Sequence, residues 1–173
     1  MKILQPAGWP RPVGYANGVA ATGTVVFVAG QIGWDSRGAI VADDLVGQVR
    51  QALENVVAVL AEAGGRPEHI TRMTWYVTNK REYMYRRREI GDIFRKLIGV
   101  YHAAMTAVEV SALMEDRAQV EIEVTAVLPV TAQRRSAGDA GPKSGSPLRA
   151  RRSRTRRRRA STSRPAPTRS TRG

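Results

Sequence analysis

The sequence contains no cysteine, and this absence excludes a disulfide framework, a thiolate nucleophile and any cysteine-ligated metal. Histidine is almost as scarce, with only His69 and His102. These two do not have the spacing of a metal-ligand pair, and a Ser-His-Asp triad is not expected. We interpret His69 as a solvated loop residue and His102 as packing at a helix end.

Long hydrophobic runs are also missing, and none approaches the ~20 apolar residues of a membrane span. Pro6, Pro10 and Pro12 interrupt the start, where a signal peptide would have its apolar region. Glycine motifs for phosphate binding or a nucleophile elbow are absent as well. We therefore expect a soluble, cytoplasmic protein without a membrane partner.

Acidic residues are nearly absent from residues 131–173, which hold 14 basic residues and one acid, Asp139. Residues 1–130 hold 14 residues of each sign, so the net charge of +13 lies wholly in 131–173. This predicts a neutral domain over 1–130 and a basic, disordered tail over 131–173. One interpretation of the tail is a polybasic arm that binds nucleic acid or an anionic surface. The other is an unselected extension. Its lack of aromatic residues for base stacking favours the extension.

Hydrophobic periodicity in 1–130 predicts the order β-β-α-β-α-β-β. The predicted elements are a hairpin over Gly18–Gln31, a helix from Asp43 or Asp44 to Gly64, a strand over His69–Thr78, a helix over roughly Glu82–Ile98, and the strands MTAVEV and AQVEIEVTAVLP. The first helix has an apolar stripe formed by Leu45, Val49, Leu53, Val56 and Leu60. We expect an α+β domain with both helices on one face of a mixed sheet. The bare face of that sheet favours oligomerisation.

Five segments within about residues 8–130 occur in one collinear order: GYANG, VVFVAGQIGWDSRG, QVRQALENVVAVLAEAGGRPEHITRMTWYVT, TAVEVSAL and QVEIEVTAVLP. Together they resemble the Rid (reactive intermediate deaminase) or YjgF family. The resemblance implies a chorismate-mutase-like fold and a homotrimer with clefts between subunits. It also implies hydrolysis of a reactive imine or enamine to a carbonyl compound and ammonia, without a metal or cofactor. Some members have been described as ribonucleases or translation inhibitors.

One position departs from the family pattern. The family has Pro-Ala-Arg-Thr/Ser before VEV, and its arginine grips the substrate carboxylate; here the residues are Ala103, Ala104, Met105 and Thr106. Met105 thus stands where a bidentate carboxylate ligand is expected. We interpret Met105 as a cleft wall suited to a larger or more apolar ligand. The alternative is that Met105 only fills core space.

The resemblance implies catalytic roles for Tyr15, which would orient ligand or water, and for Glu121, which would position water as a general base. A solvated strand carboxylate is the alternative for Glu121. The implied substrate-binding set is Gly30, Gln31, Trp34, Ala104, Met105 and Thr106. Within it, Trp34 is either an aromatic wall or trimer packing.

Two further departures concern the neighbourhood of this set. Ala29 replaces the Ser or Thr that precedes Gly30 in the family, which removes one hydroxyl. The run Arg86–Arg88 is a candidate substitute cation, although a solvated helix face is its simpler interpretation. Three functions remain open: an imine or enamine deaminase with altered substrate preference, a non-catalytic small-molecule binding or regulatory trimer, and nucleic-acid binding or ribonuclease-type activity aided by the tail.

Overall fold

The computed structural model describes residues 1–100 and 102–130. Its elements are β1 (Lys2–Leu4), β2 (Gly18–Ala20), β3 (Thr24–Gln31), α1 (Leu45–Glu62), a short 3-10 helix (Pro67–His69), β4 (Ile70–Val77), α2 (Lys80–Leu97), β5 (Ala104–Glu109) and β6 (Val120–Leu128). From β2 onward this is the predicted order of strands and helices. The basic segment 131–173 lies outside the described residues, so the tail and the domain boundary stay predictions.

The main sheet has four strands in the order β3-β6-β4-β5. The β3–β6 and β6–β4 pairs are antiparallel, and β4–β5 is parallel. A parallel neighbour needs a crossover connection, and α2 supplies it between β4 and β5. The predicted α+β architecture with a mixed sheet is therefore confirmed, and β5 is an edge strand of this sheet.

Helix α1 begins at Asp44, whose side chain accepts a hydrogen bond from the Gly47 N–H at 3.0 Å. This is a helix N-cap, which satisfies one of the free amide groups of the first turn. The helix ends before Gly64, which has a φ of 70°, a geometry that glycine tolerates well. All five residues of the predicted apolar stripe are buried.

Helix α2 begins after Asn79, whose side chain accepts a hydrogen bond from the Glu82 N–H. It buries Ile90, Ile93 and Phe94 against the same core as α1. That core is completed by the inward side chains of β4 and β6, so both helices cover one face of the sheet. None of the helices within 1–100 and 102–130 has the length and apolarity needed to cross a lipid bilayer.

The predicted hairpin over Gly18–Gln31 is wrong in its pairing. Strand β2 pairs with β1 in a separate two-stranded sheet, and β3 pairs with β6. The physical reason lies at Gly23, where an added Cβ would lie 2.0 Å from the Leu128 carbonyl oxygen. The Thr22–Gly23 step thus passes closely over the end of β6 and does not return the chain onto β2. Strand β1 has only three residues, too few to show a period of two.

Side chains of β4 alternate between the two faces of the sheet, except at its first residue. Met73, Trp75 and Val77 are buried beneath the helices. Strict alternation would place Ile70 on the other face, but it is 2% exposed and belongs to the same core. The register between β4 and β6 shifts between Ile70 and Arg72. Such an irregularity changes the alternation of side chains, which a sequence pattern alone does not reveal.

Within residues 1–100 and 102–130, no helix covers the second face of the sheet. On β3, Phe27 is 78% exposed and Val25 is 48% exposed. They pair with Thr125 and Val127 of β6, and the same face continues with Glu121 and Glu123. On β4 and β5 it carries Arg72, Thr74, Tyr76, Thr106 and Val108. We call this surface the open face; it combines exposed apolar residues at β3 with a polar row across β6 and β4.

A buried glutamine fixes the start of β6. The Gln48 amide on α1 donates hydrogen bonds to the Ala42 and Arg117 carbonyl oxygens at 3.0 and 2.9 Å, and its oxygen accepts from the Gln119 N–H at 2.8 Å. Buried polar groups that are satisfied in this way hold a unique geometry. Gln48 therefore ties α1 to the residues directly before Glu121.

Candidate functional site

A groove of about 1020 Å³ runs between α2 and the edge strand β5. It is lined by Val13, Gly14, Tyr15, Trp75, Tyr83, Arg87, Arg88, Ile90, Gly91, Phe94, Arg95, Met105, Thr106 and Ala107. We call it the α2–β5 groove. It brings together three residues of the predicted site, Tyr15, Met105 and Thr106, although they come from distant parts of the chain.

Met105 lies on the helix side of β5. It pairs in parallel register with Met73, whose side chain is fully buried beneath the helices. Met105 itself is half-buried, packs against the hydrophobic core and lines the groove. Met105 thus fits both interpretations, because one part of its side chain packs against the core and another part lines the groove.

Tyr15 reaches the groove because the N-terminal segment runs beside β5. The Ala16 N–H donates a hydrogen bond to the Ala103 carbonyl oxygen at 2.9 Å, and Ala16 forms a parallel bridge with Ala104. This contact covers one end of the edge strand. It also leaves the Tyr15 ring partly exposed at the mouth of the groove, where a ligand can contact it.

The groove has an aromatic wall, formed by Trp75 of β4 and by Tyr83 and Phe94 of α2. The ring centroid of Trp75 lies 6.2 Å from that of Tyr83 and 6.3 Å from that of Phe94. The Trp75–Tyr83 pair is edge-to-face, an arrangement that aromatic side chains favour. This wall was not predicted from the sequence, although the spacing of Tyr83, Ile90 and Phe94 along one helix was an available signal.

Arginines form the rim of the groove. Arg87, Arg88 and Arg95 line it, and no Asp or Glu is among its lining residues in the described part of the chain. Arg95 forms an ion pair with Asp92. Arg86, which lies in the same run as Arg87 and Arg88, instead pairs with Glu89 at 3.1 Å. Two members of the predicted substitute cation therefore lie on the groove and one does not.

Glu121 lies elsewhere, over the last residues of β3, where the register with β6 shifts between Val28 and Gln31. A Cβ added to Gly30 would lie 1.7 Å from the Glu121 Oε1 atom. Only glycine permits the carboxylate to approach the backbone so closely. The neighbouring Gln31 amide turns back and donates to the Ala29 and Gly30 carbonyl oxygens at 3.2 and 3.3 Å. Glu121 and Gly30 are thus in close contact, and the Gln31 side chain stabilises the irregular end of β3.

A polar row continues from Glu121 across the open face. An Arg72 guanidinium nitrogen lies 3.7 Å from the Glu123 carboxylate. Burial raises the pKa of the Tyr76 hydroxyl, and the neighbouring Glu123 carboxylate raises it further. Tyr76 therefore stays neutral; its hydroxyl interacts with the Glu123 carboxylate, while Glu121 is its partner in the strand register.

Within one chain the two halves of the predicted site are far apart. Glu121 lies on β6, separated from β5 by β4, which is about 10 Å across the sheet. It is level with Tyr76 and Val108, whereas Met105 lies three residues earlier on β5, or about 10 Å along the strand. The two side chains also lie on opposite faces. A small ligand in the α2–β5 groove therefore does not reach Glu121 of the same chain.

The remaining predicted residues lie outside the centre of the groove. Trp34 is in the loop before α1, where the Asn55 amide donates to its carbonyl oxygen at 2.9 Å. Its side chain is 40% exposed and is not among the residues that line the α2–β5 groove, so its two interpretations stay predictions. Ala104 has its bridge to Ala16 at one end of the groove. Among the described residues, no group of three or more His, Asp and Glu could hold a metal ion.

Comparison with known proteins agrees with this architecture. The sequence model of the family described as Endoribonuclease L-PSP matches residues 10–128. A RutC family protein of Pyrococcus horikoshii is 33% identical over 119 residues, which cover 68% of this chain and 89% of that protein. A 2-iminobutanoate/2-iminopropanoate deaminase of Salmonella typhimurium is 33% identical over 127 residues, covering 73% and 97% of the two chains.

A solved structure is similar as well. The crystal structure of YyfB from Yersinia pestis, a protein of unknown function in the conserved Rid family, has a TM-score of 0.66 and 30% identity. The match covers 73% of this chain and 98% of that one. The matched fold, the matched sequence and the collinear motifs lead to one conclusion: this chain belongs to the Endoribonuclease L-PSP family, also known as the Rid or YjgF family.

Proposed function

We propose that this protein hydrolyses a reactive imine or enamine to a carbonyl compound and ammonia, with a preference for substrates larger and more apolar than 2-iminopropanoate. The observation that carries the proposal is the α2–β5 groove, in which Tyr15 stands beside Met105. The Salmonella relative named as a 2-iminobutanoate/2-iminopropanoate deaminase supports the reaction class. Met105 stands where the family has an arginine, and this supports the preference for larger and more apolar substrates.

The reaction adds water across a carbon–nitrogen double bond. A base takes one proton from the attacking water, the imine nitrogen gains a proton, and the resulting carbinolamine releases ammonia as its hydroxyl becomes the carbonyl. Glu121 supplies the base in this proposal, since it is a half-buried carboxylate on the open face and forms no ion pair among the described residues. Tyr15 contacts and orients the substrate. No step requires a metal or an organic cofactor.

The site is completed between copies of the chain in this proposal. Because Glu121 and Met105 of one chain are on opposite faces of the sheet, a second copy has to bring its Glu121 to the groove. In this proposal, the open face of one copy packs across the β5 edge of the next in a homotrimer, so that Glu121 reaches the neighbouring groove and Phe27 and Val25 are buried. Charge does not oppose such packing, since Arg72 and Glu123 already pair on that face.

Replacing Phe27 by arginine is expected to convert the trimer into monomers. Phe27 is 78% exposed on the open face, and a charged side chain there would be buried without a partner on assembly. Sedimentation velocity measures the change. Tyr85→Arg is the matched control, because Tyr85 is 85% exposed on α2, away from the open face. An unaltered protein that sediments as a monomer, or a Phe27 variant that stays trimeric, would refute this assembly.

A trapping assay tests the activity. An amino-acid oxidase generates imines from alanine, leucine and phenylalanine, and semicarbazide traps whatever imine the protein has not yet hydrolysed. We expect the protein to lower the yield of trapped product, and to do so more strongly for phenylalanine and leucine than for alanine. A protein that accelerates the loss of none of the three imines would contradict the proposed activity.

A non-catalytic binding or regulatory trimer is the second candidate. It is favoured by the lining of the groove, which includes no Asp or Glu and so holds no carboxylate base of its own among the described residues. Nucleic-acid binding through 131–173 is a third candidate. Comparing RNA binding by the full chain and a 1–130 truncation across a salt series tests it, because phosphate contacts give a steep salt dependence. Equal binding by the two forms would exclude a role for the tail.

A further inference from the structure

We propose that Arg87 and Arg88 of α2 bind the carboxylate of an acid whose large apolar or aromatic body lies against Met105 and the aromatic wall. The proposal depends on the imine chemistry above only for naming that acid as a substrate or product. The binding site itself is argued from the α2–β5 groove. Strand β5 carries Met105 where the family has its carboxylate-binding arginine. In this proposal, the cation that binds the carboxylate comes from helix α2 instead.

The charges at the rim are unbalanced. Arg87 and Arg88 have no ion-pair or hydrogen-bond partner among the described residues, whereas Arg95 pairs with Asp92 and Arg86 with Glu89. Exposed arginines are commonly solvated on a plain helix surface. Here, however, they border a concave groove with an apolar wall, which lowers the local dielectric constant and strengthens attraction to an anion.

Helix geometry explains why two of three consecutive arginines face the groove. Side chains three and four residues apart share one face of a helix. Arg87 is four residues after Tyr83 and seven before Phe94, and both of these line the groove. Arg88 is next to Arg87 and shares its side with Gly91 and Arg95. Two neighbouring guanidiniums can each present paired N–H donors to one carboxylate.

The wall of the groove selects the rest of the ligand. Met105 offers a flexible, polarisable thioether and Tyr83 a partly exposed ring, a surface suited to an aromatic ligand. Trp75 and Phe94 are only 1% and 2% exposed, so they support this wall more than they contact a ligand. The volume of about 1020 Å³ is at the upper end of ordinary ligand sites. A small acid such as propanoate would leave most of it empty.

Three probes separate the parts of this inference: 3-phenylpropanoate, its neutral isostere 3-phenylpropanamide, and propanoate. Binding to the full-length protein is measured by calorimetry. We expect the phenyl acid to bind at least tenfold more tightly than either the amide or propanoate. Only the phenyl acid has both a carboxylate for Arg87 and Arg88 and a ring for the apolar wall beside Met105. In the double variant Arg87→Ala/Arg88→Ala, the acid and the amide should bind equally weakly. Arg81→Ala/Lys96→Ala is the control, since it removes the same charge from α2 outside the groove.

Several results would overturn the inference. These are equal binding of acid and amide to the unaltered protein, no binding of any probe, and equal losses in the two double variants. Competition by inorganic phosphate as effective as by the phenyl acid would show a general anion site, without selection by the wall. Circular dichroism confirms that the variants fold, and Arg87→Gln/Arg88→Gln repeats the test with longer side chains.

This inference and the proposed activity can fail separately. If the phenyl acid binds as expected but no imine is hydrolysed, the groove is a carboxylate-binding site and the enzymatic proposal is wrong. If imines are hydrolysed and the rate is unchanged in Arg87→Ala/Arg88→Ala, the enzymatic proposal stands and the α2 arginines have no part in recognition.

Discussion

Replacing Glu121 by glutamine is expected to lower kcat for imine hydrolysis at least about a hundredfold, the usual contribution of a general base. Glutamine keeps the size of the side chain and its approach to Gly30, but it cannot accept a proton from water. The fold should be retained, since Glu121 is only half-buried and forms no ion pair among the described residues. Steady-state kinetics with the preferred imine measures the effect, and thermal unfolding checks the fold.

Glu123→Gln is the matched control for this prediction. Glu123 lies two residues along the same strand and on the same face, where it pairs with Arg72. An exposed pair of this kind contributes little to stability, and Glu123 has no role in the proposed chemistry. A kcat that falls equally in the two variants, or in neither, would contradict the assignment of the base to Glu121.

Replacing Met105 by arginine is expected to raise kcat/KM for 2-iminopropanoate. A charge-assisted bond to the substrate carboxylate is worth about 1.5–3 kcal/mol, or roughly ten- to a hundredfold. Arg87 and Arg88 border the same groove, and their positive charges oppose a third guanidinium. The gain should therefore be at the lower end of that range. The imine of phenylalanine should lose part of its advantage, because the wall becomes less apolar.

Met105→Leu is the control for the gained activity. It conserves volume and apolarity, so the packing against the core should change little. Its kcat/KM for 2-iminopropanoate should equal that of the unaltered protein. An arginine variant that folds but gains nothing over the leucine variant would show that residue 105 does not contact the substrate carboxylate.

Local patterns were sufficient to predict most of the fold. The stripe of α1, its cap at Asp44 and the strand predicted from AQVEIEVTAVLP each depend on residues close in sequence, and all are present in the structure. The pairing of β2 with β1 was not predictable in this way. It depends on the close passage of Gly23 over Leu128, a contact between residues that are distant in the chain.

The site was less accessible to sequence reasoning. Tyr15, Met105 and Glu121 were named as candidates by resemblance, but the placing of Met105 and Glu121 on opposite faces follows from the register of β4 with β5 and β6. Likewise, the sequence indicated the run Arg86–Arg88 as a candidate cation, but it did not show which of these arginines face the groove. Consecutive helix residues point about 100° apart, so the answer depended on how α2 is turned toward β5.

A subunit-complementation experiment tests the central claim, that Glu121 of one chain completes the groove of another. Tyr15→Ala and Glu121→Gln proteins, each expected to have strongly reduced activity, are dissociated together, reassembled at equal amounts, and assayed for imine hydrolysis. Random assembly into cyclic trimers gives an intact site at about a quarter of the interfaces, so we predict recovery of about a quarter of the unaltered activity. Activity no higher than that of the separate variants, in mixtures shown to contain mixed trimers, would contradict a site shared between chains.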